Sequence, residues 1–561
     1  MKIMKKEINL NVLTLLCVVF IACMSGCSDS GKFRRLKVSD YRDKMKAGWL
    51  GQIAGVCWGG PTEFRWRDEI IPLDKMPVWT PDMINDAFGQ DDLYTEMTFL
   101  RTLEEYGPDV SIRQAGIDFA NSEYPLWCAN AAGRNNLRAG IAPPDCSHPQ
   151  FNKCPNDIDY QIEADYSGLI APGMPQVAIA LGEKFGRLMN YSDGMYAGQF
   201  IGGMYAEAFF EDDLLKIIDA GLECIPAGCQ YAEMVSDVVA WYKENPNDWE
   251  ATWKKCQAKY REDPEYQKCS NGGIDVKING AYILIGMLYG NKDLDQTIII
   301  STRCGQDSDC NPSNAAGVLF TTLGTTKLPA RFIEKLDNEK VFSHTAYNFP
   351  ALLDVCEKLA REYIVREGGR IETVDGEDVF VIPVKTPVPS PLVFSWEPEQ
   401  IADSKFTEEE MSKIKHKSFR DIQEAVSKLF DGWRVSDCGN DMQPGYRESY
   451  RGKNGVLMTH PLDRQTPCKL INVTNISKNK KTALKMLVSN HDGGDWELVI
   501  RINGSVQKTV TVSKDTVGKD GWLAVNFDLT PFAGDNVFVE LENKATDWQW
   551  EAGYWAEVAI V

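Results

Sequence analysis

The 561-residue sequence predicts a multidomain chain: an all-α, orthogonal helical bundle followed by an all-β, jelly-roll-like sandwich. Three observations predict it. Apolar residues recur at helical spacing from about residue 38 to 365, prolines and glycines break the chain between 366 and 398, and short alternating apolar stretches divided by turn residues fill residues 430–561. The length suits two or three units of ordinary size.

At the N-terminus, Lys2, Lys5 and Lys6 precede an apolar run from Val12 to Cys23, which closes in Met24-Ser25-Gly26-Cys27. The run is short for a membrane-spanning helix, and small residues before a cysteine fit processing followed by acylation. Residues 1–27 therefore read as a lipoprotein signal with Cys27 as the lipid site, a plain secretory signal being the other reading. The expected location is the bacterial cell envelope, anchored by lipid in the outer membrane on its periplasmic or surface face.

The helical part is expected over 38–365. After Asp92, Leu93, Met97, Leu100 and Leu103 fall on one helical face while Arg101, Glu104 and Glu105 turn elsewhere. Val177 to Leu188, Gly198 to Phe210, Asp213 to Leu222 and Tyr231 to Lys243 have the same texture. Ala129 to Asp165, rich in Asn, Pro, Gly and Cys, reads as a long loop of the kind that forms functional walls or lids. Residues 366–429 read as a linker, semi-rigid through Pro387, Pro389 and Pro391, and a short charged helix from Glu408 to Leu429. Strands are expected at Ala483 to Ser489, Trp496 to Ile502, Val506 to Val512, Trp522 to Leu529, Val537 to Glu542 and Tyr554 to Val561, with Asn503-Gly504 as a hairpin turn.

With 80 acidic against 60 basic residues the formal charge is -20, and no basic stripe offsets it, so nucleic acid is not an expected partner. Setting aside Cys17, Cys23 and Cys27, an odd number of cysteines remains. Cys146 with Cys154, Cys224 with Cys229, Cys256 with Cys269, and Cys304 with Cys310 are local candidates for disulfides in an exported chain. No Cys-x-x-Cys pair supports a zinc or redox site.

Two acidic clusters carry the chemistry. Gln90-Asp91-Asp92 and Asp307-Ser308-Asp309 each stand at the apparent start of a helix. Either cluster alone is explained by acids complementing a helix N-terminus. Together, four carboxylates without histidine suit a hard divalent cation, Mg²⁺ or Mn²⁺. A third segment, Gly51 to Phe64, has glycines at 51, 55 and 59, then Gly60-Pro61-Thr62-Glu63-Phe64. By itself this is a closely packed helix with a turn.

In this order the three segments resemble the motifs of the ADP-ribosylglycohydrolase family, of the dinitrogenase-reductase-activating type. Gly51, Gly55, Gly59, Pro61, Glu63 and Phe64 match its first motif, Asp91 and Asp92 its second, and Asp307, Asp309, Asn311 and Ala315-Ala316-Gly317 its third. The resemblance covers about residues 40–330. It implies an all-α domain that holds one or two Mg²⁺ or Mn²⁺ ions and hydrolyses a glycosidic bond. Asp91, Asp92, Asp307, Asp309 and Gln90 would hold metal, and Glu63 would be the acid/base, with Asp92 shared between metal and catalysis. Val56, Gln90 and Cys310 depart from the family's usual aspartate and hydroxyl residues, and a thiol is a poor Mg²⁺ ligand. Cys310 is thus open to the Cys304 pairing instead.

Asp165, Trp58 and Trp66 are candidates for sugar contact; their ordinary readings are a helix cap and core packing. In the last part of the chain, Trp548, Trp550, Tyr554 and Trp555, with Trp433, Tyr446, Tyr450, His460 and Trp496, resemble the carbohydrate-binding-module-like sandwiches appended to exported bacterial glycosidases. Aromatics alternating in strands also serve simply as core. The expected function is metal-dependent hydrolysis of an exported or environmental glycan. Hydrolysis of ADP-ribosyl-protein and a non-catalytic, glycan-binding surface lipoprotein are the alternatives.

Overall fold

The computed structural model describes residues 32–270, 273–415, 422–439, 441–548 and 550–561. The N-terminal leader and Cys27 lie outside them. No helix among the described residues is long and apolar enough to cross a membrane.

The chain divides into two compact units. Among the described residues, the first comprises 32–111, 124–126 and 154–399; the second comprises 112–123, 127–153 and 400–561. The stretch expected to be a long loop is therefore shared. Its first part forms the helix Cys128–Arg138 in the second unit, and its last part begins the helices Asp159–Ile162 and Asp165–Leu169 in the first.

Five helices of the first unit build the site: α1 (Val38–Gly59), α2 (Asp91–Tyr106), α3 (Asp193–Ala208), α4 (Val276–Tyr289) and α5 (Cys310–Leu323). α1 is almost wholly buried from Ala47 to Gly59. α1 and α5 run in close contact because the glycines on α1 leave no side chain between the backbones. A Cβ at Gly51 would overlap the backbone of Ala316 and Gly317, one at Gly55 that of Pro312 and Ser313, and one at Gly59 that of Ser308 and Asp309. The four-residue glycine spacing thus fixes the register of two helices and sets where their ends meet.

The segment expected to be a linker is ordered against the first unit. β1 (Phe33–Lys37), β2 (Arg370–Val374) and β3 (Glu377–Pro383) form an antiparallel sheet in the order β1-β3-β2. Asp375 and Gly376, both at positive φ, make the two-residue turn between β2 and β3, the Asp-Gly hairpin signal. Beyond it the proline-rich strand is strapped down: the Tyr196 hydroxyl on α3 donates to the Pro391 carbonyl and accepts from Val393 N, while Ser192 Oγ donates to the Val393 carbonyl.

In the second unit, helices Glu408–Lys413 and Ile422–Leu429 replace the single expected helix, with residues 416–421 outside the described ones. Among the described residues ten strands follow: β4 (Arg434–Ser436), β5 (Gly445–Tyr450), β6 (Lys453–Thr459), β7 (Cys468–Asn475), β8 (Ala483–Asn490), β9 (Trp496–Ile502), β10 (Ser505–Val512), β11 (Leu523–Asp528), β12 (Asn536–Lys544) and β13 (Gly553–Ile560). They make two five-stranded antiparallel sheets, ordered β10-β9-β12-β7-β4 and β11-β8-β13-β6-β5. The expected turn is present, Asn503 and Gly504 both at positive φ between β9 and β10. Buried residues of the strands give a main core that includes Trp433, Leu470, Leu498, Ile500, Val539 and Leu541, with Trp496 and Trp555 in contact within it, and a smaller cluster of Val456, Met458, Trp522, Ala552 and Tyr554.

The expected Cys224–Cys229, Cys256–Cys269 and Cys304–Cys310 disulfides do not form: Cys224, Cys229, Cys256, Cys304 and Cys310 are free thiols. Cys304 and Cys310 serve different packing: burial is the main influence on Cys304, whereas Cys310 Sγ turns towards carboxylates. Cys438 Sγ donates to the His460 carbonyl at 3.5 Å.

Candidate carboxylate centre

The site forms where α1 ends and α5 begins. Past Gly59, the turn Gly60–Thr62 ends α1, and the Thr62 hydroxyl donates to the Gly59 carbonyl and shares a 2.8 Å hydrogen bond with Ser308 Oγ. Phe64 N donates to the Gln306 carbonyl at 3.1 Å, and Gln306 N donates to the Trp66 carbonyl at 2.8 Å. These bonds hold the Glu63 segment beside the Asp307–Asp309 turn by backbone pairing, independent of any substrate.

The acidic clusters converge there. Asp309 caps α5, its Oδ1 accepting from Cys310 N at 3.0 Å, as expected of an acid at a helix start. That bond leaves the rest unexplained. Cys310 Sγ lies 3.1 Å from Asp92 Oδ1 and 3.6 Å from Asp309 Oδ1, joining the first turn of α2 to that of α5. A carboxylate oxygen of Asp307 lies within 4.8 Å of donor atoms of Asp309 and Cys310. Asp92, Asp307 and Asp309 are nearly inaccessible, and Asp92 Oδ2 and Asp307 Oδ1 have no hydrogen-bond partner. Asp91 is half-buried beside them.

Crowding and desolvation act on every member. Burial, then the charges of Asp91, Asp309 and Asp307, holds the Asp92 carboxyl well above the usual range. Burial and the neighbouring Asp307 do the same to Asp309, and burial raises Asp307 to about 6. Glu63 is more accessible, yet loss of hydration and the charges of Asp309 and Asp91 push it up to about 7. Like charges gathered out of water raise one another's pKa unless a cation intervenes. Unpartnered buried oxygens together with this mutual repulsion fit a divalent cation, for which Asp91, Asp92, Asp307 and Asp309 supply oxygen donors. Asp307, Asp309 and Cys310 alone bring one donor atom each within 4.8 Å of one another.

Gln90 precedes α2 without a side-chain cap bond, and its amide nitrogen faces Gly60. The other three expected contact residues have different roles. Asp165 is fully buried and uses both oxygens internally, one accepting from the Tyr205 hydroxyl and the other from Asn314 Nδ2 at 2.7 Å. It belongs to a network with Glu96, which accepts from Gln52 Nε2 at 2.5 Å and from Tyr166 N at 2.9 Å. Glu96 lies one turn after Asp92, so this network anchors the α2 turn that carries the site. Trp58 is 5 % exposed, donates to the Pro77 carbonyl and packs on Trp79 and Phe332. Its faces are taken up by the core. Trp66 contributes its carbonyl to the backbone pairing and is half-buried.

Two features were missed from sequence. Asn279 Oδ1 on α4 accepts from Asp307 N at 3.4 Å and from Asn311 Nδ2 at 2.9 Å, and so orients the acidic turn. Its signal is a polar pair, Lys277 and Asn279, in an otherwise apolar helix. Beside Asp91, the buried Tyr94 packs on Tyr124 and on the exposed His344 with ring centroids 4.8 and 5.1 Å away. Tyr94 is raised by burial and then by the Asp91 charge.

The acidic starts of two helices thus enclose a carboxylate centre beside an acid of raised pKa. The family model for ADP-ribosylglycohydrolases matches residues 37–368. The chain belongs to the ADP-ribosylglycohydrolase family. A solved ADP-ribosylglycohydrolase-related protein complex is similar at 13% identity and a TM-score of 0.38, over 58% of this chain and 99% of that one. A CBM35 from Paenibacillus barcinonensis is similar at 13% identity and TM-score 0.18, over 24% of this chain and 94% of that one. The CBM22-1 xylan-binding domain of a Paenibacillus barcinonensis protein is similar at 15% identity and TM-score 0.18, over 24% and 86%. No curated protein matches the chain.

Proposed function

We propose that the protein is a metal-dependent glycoside hydrolase acting on an exported or environmental glycan. The convergence of Asp91, Asp92, Asp307 and Asp309, with buried oxygens on Asp92 and Asp307 lacking partners, is the observation that carries this reading. When bound, one or two Mg²⁺ or Mn²⁺ ions would orient sugar hydroxyls and acidify a water. Asp91, Asp92, Asp307 and Asp309 hold them, with the Gln90 amide carbonyl as a further oxygen donor. Glu63 serves as acid/base: a carboxyl near pH 7 is protonated often enough to assist a leaving group and ionised often enough to accept a proton. Of the rings beside Asp91, His344 is exposed and offers a face for the sugar, packed on the buried Tyr94.

The N-terminal leader with Cys27 favours an exported, lipid-anchored protein, and export favours a glycan over intracellular ADP-ribosylated protein as substrate. The sandwich supplies a second surface for glycan, with Trp550 half-exposed and stacked on His491. A product screen over plant and host glycans and ADP-ribosylated protein, run with chelator and with Mg²⁺ or Mn²⁺, tests the reading. Sugar release that needs the cation and spares ADP-ribosylated protein supports it. Release of ADP-ribose alone makes the chain an ADP-ribosyl hydrolase, and glycan binding without turnover makes it a surface binding protein.

A further inference from the structure

The residue that departs most from the chemistry of its neighbours is Cys310. It opens α5 one position after Asp309, and its side chain points into the carboxylate centre, 3.1 Å from Asp92 Oδ1 and 3.6 Å from Asp309 Oδ1. It is 5 % exposed and is not bridged to Cys304. Alone, a cysteine in such a place is a small polar filler. Two further observations point to a ligand. Asp92 Oδ2 and Asp307 Oδ1 are buried without hydrogen-bond partners, on residues at most 3 % exposed. The donor atoms of Asp307, Asp309 and Cys310 also lie within 4.8 Å of one another.

The separations have a direct coordination reading. A cation with sulfur at ~2.3 Å and oxygen at ~2.1 Å keeps adjacent S and O donors about 3.1 Å apart at a right angle and about 3.6 Å apart at a tetrahedral angle. The two sulfur–oxygen distances around Cys310 span that interval. We infer that Cys310 is itself a metal ligand, and that the centre is a mixed sulfur–oxygen site selecting a borderline-soft cation such as Zn²⁺, Co²⁺ or Fe²⁺ over Mg²⁺. This rests on the carboxylates being a metal centre, as proposed above. It deepens that reading by assigning the metal class. Thiolate ligands favour the softer ions and contribute little to Mg²⁺, which demands oxygen donors. On coordination the sulfur–metal bond replaces the S–H bond and the proton leaves to solvent, with no change in oxidation state.

The test is optical titration of the chelator-treated full chain with Co²⁺, comparing wild type with Cys310→Ser, alongside competition between Zn²⁺ and Mg²⁺. The inference expects a thiolate-to-cobalt charge-transfer band at one equivalent in wild type. The band is absent from Cys310→Ser, although that variant still binds Co²⁺ through its carboxylates. The preference for Zn²⁺ over Mg²⁺ falls by at least about tenfold in the variant. Co²⁺ binding without the band, or with a band that survives in Cys310→Ser, overturns the role of Cys310 and leaves the carboxylate centre standing. No Co²⁺ binding by either protein overturns both.

Discussion

Gly59 of α1 lies directly against Ser308, so close that a Cβ on Gly59 would overlap the Ser308 carbonyl. This contact places Glu63, four residues on, beside Asp307 and Asp309. Gly59→Ala is therefore expected to push the two helix ends apart. Overpacking of this kind costs about 1–3 kcal/mol, and here it falls on backbone atoms that cannot rotate away. Chemical denaturation should show that loss together with weakened cation binding. An alanine variant with wild-type stability and binding removes the glycine stripe from the account of the site.

Stability without a cation should fall as pH rises. Burial, with Asp159 adding to it, pushes Asp157 up to about 9, and burial pushes Asp307 up to about 6. An unfolded aspartate titrates near ~4, so the native state keeps protons that the unfolded chain releases. The contribution of each group is fully present below about pH 4 and is lost as pH rises towards its folded pKa, at on the order of 1.4 kcal/mol per pH unit. Melts of chelated protein from about pH 5 to about pH 8 should show a falling Tm. A divalent cation should flatten the Asp307 share and leave the Asp157 share, which Asp157→Asn removes. A Tm that rises over this range contradicts the assignment.

The helical periods, six of the sandwich strands and the Asn503-Gly504 turn were legible because each is a local pattern of spacing or turn chemistry. β4 to β7 were not, since Tyr446, Arg447 and Glu448 in β5 break the alternation. The expected linker also hid an Asp375-Gly376 hairpin whose partner, β1, lies more than three hundred residues away. At the site, the acidic clusters and Glu63 could be read from motif order. Asn279 could not, because its value comes from α4 packing beside α5. Trp58 and Asp165 were read as sugar contacts because residue type suits that role, whereas burial and internal hydrogen bonds assign them to the core.

Next to Asn279, Lys277 and Asp275 form a fully buried ion pair at 2.9 Å. Removing Asp275 leaves the buried Lys277 with Asp193 as its remaining counter-charge, and breaking a buried pair costs about 3–5 kcal/mol. Asp275→Asn should thus lower stability by that order in a denaturation series. A double replacement, Asp275→Asn with Lys277→Met, should recover part of the loss. Single and double variants of equal stability would show that the pair is not coupled.

The sandwich tryptophans should separate cleanly. Trp496 is inaccessible and packs on Trp555 in the core, whereas Trp550 is 54 % exposed and stacks on His491 at 4.6 Å. Truncating a buried tryptophan costs about 3–5 kcal/mol, so Trp496→Ala should unfold at markedly lower denaturant. Trp550→Ala should leave the melt unchanged and reduce retention of the full chain on glycan affinity gels. Equal retention with and without Trp550 removes this surface as a glycan contact.

Acidic clusters that meet to hold a cation do so at the expense of the metal-free fold. The direct measurement is calorimetric titration of chelator-treated wild type and Asp92→Asn with Mn²⁺, with melts of both metal-free proteins. Wild type should bind, Asp92→Asn should bind at least about tenfold more weakly, and the metal-free variant should melt at the same or a higher temperature because a buried like charge is gone. Absence of Mn²⁺ binding by wild type, with Asp92→Asn simply less stable, would contradict it and leave the clusters as helix caps.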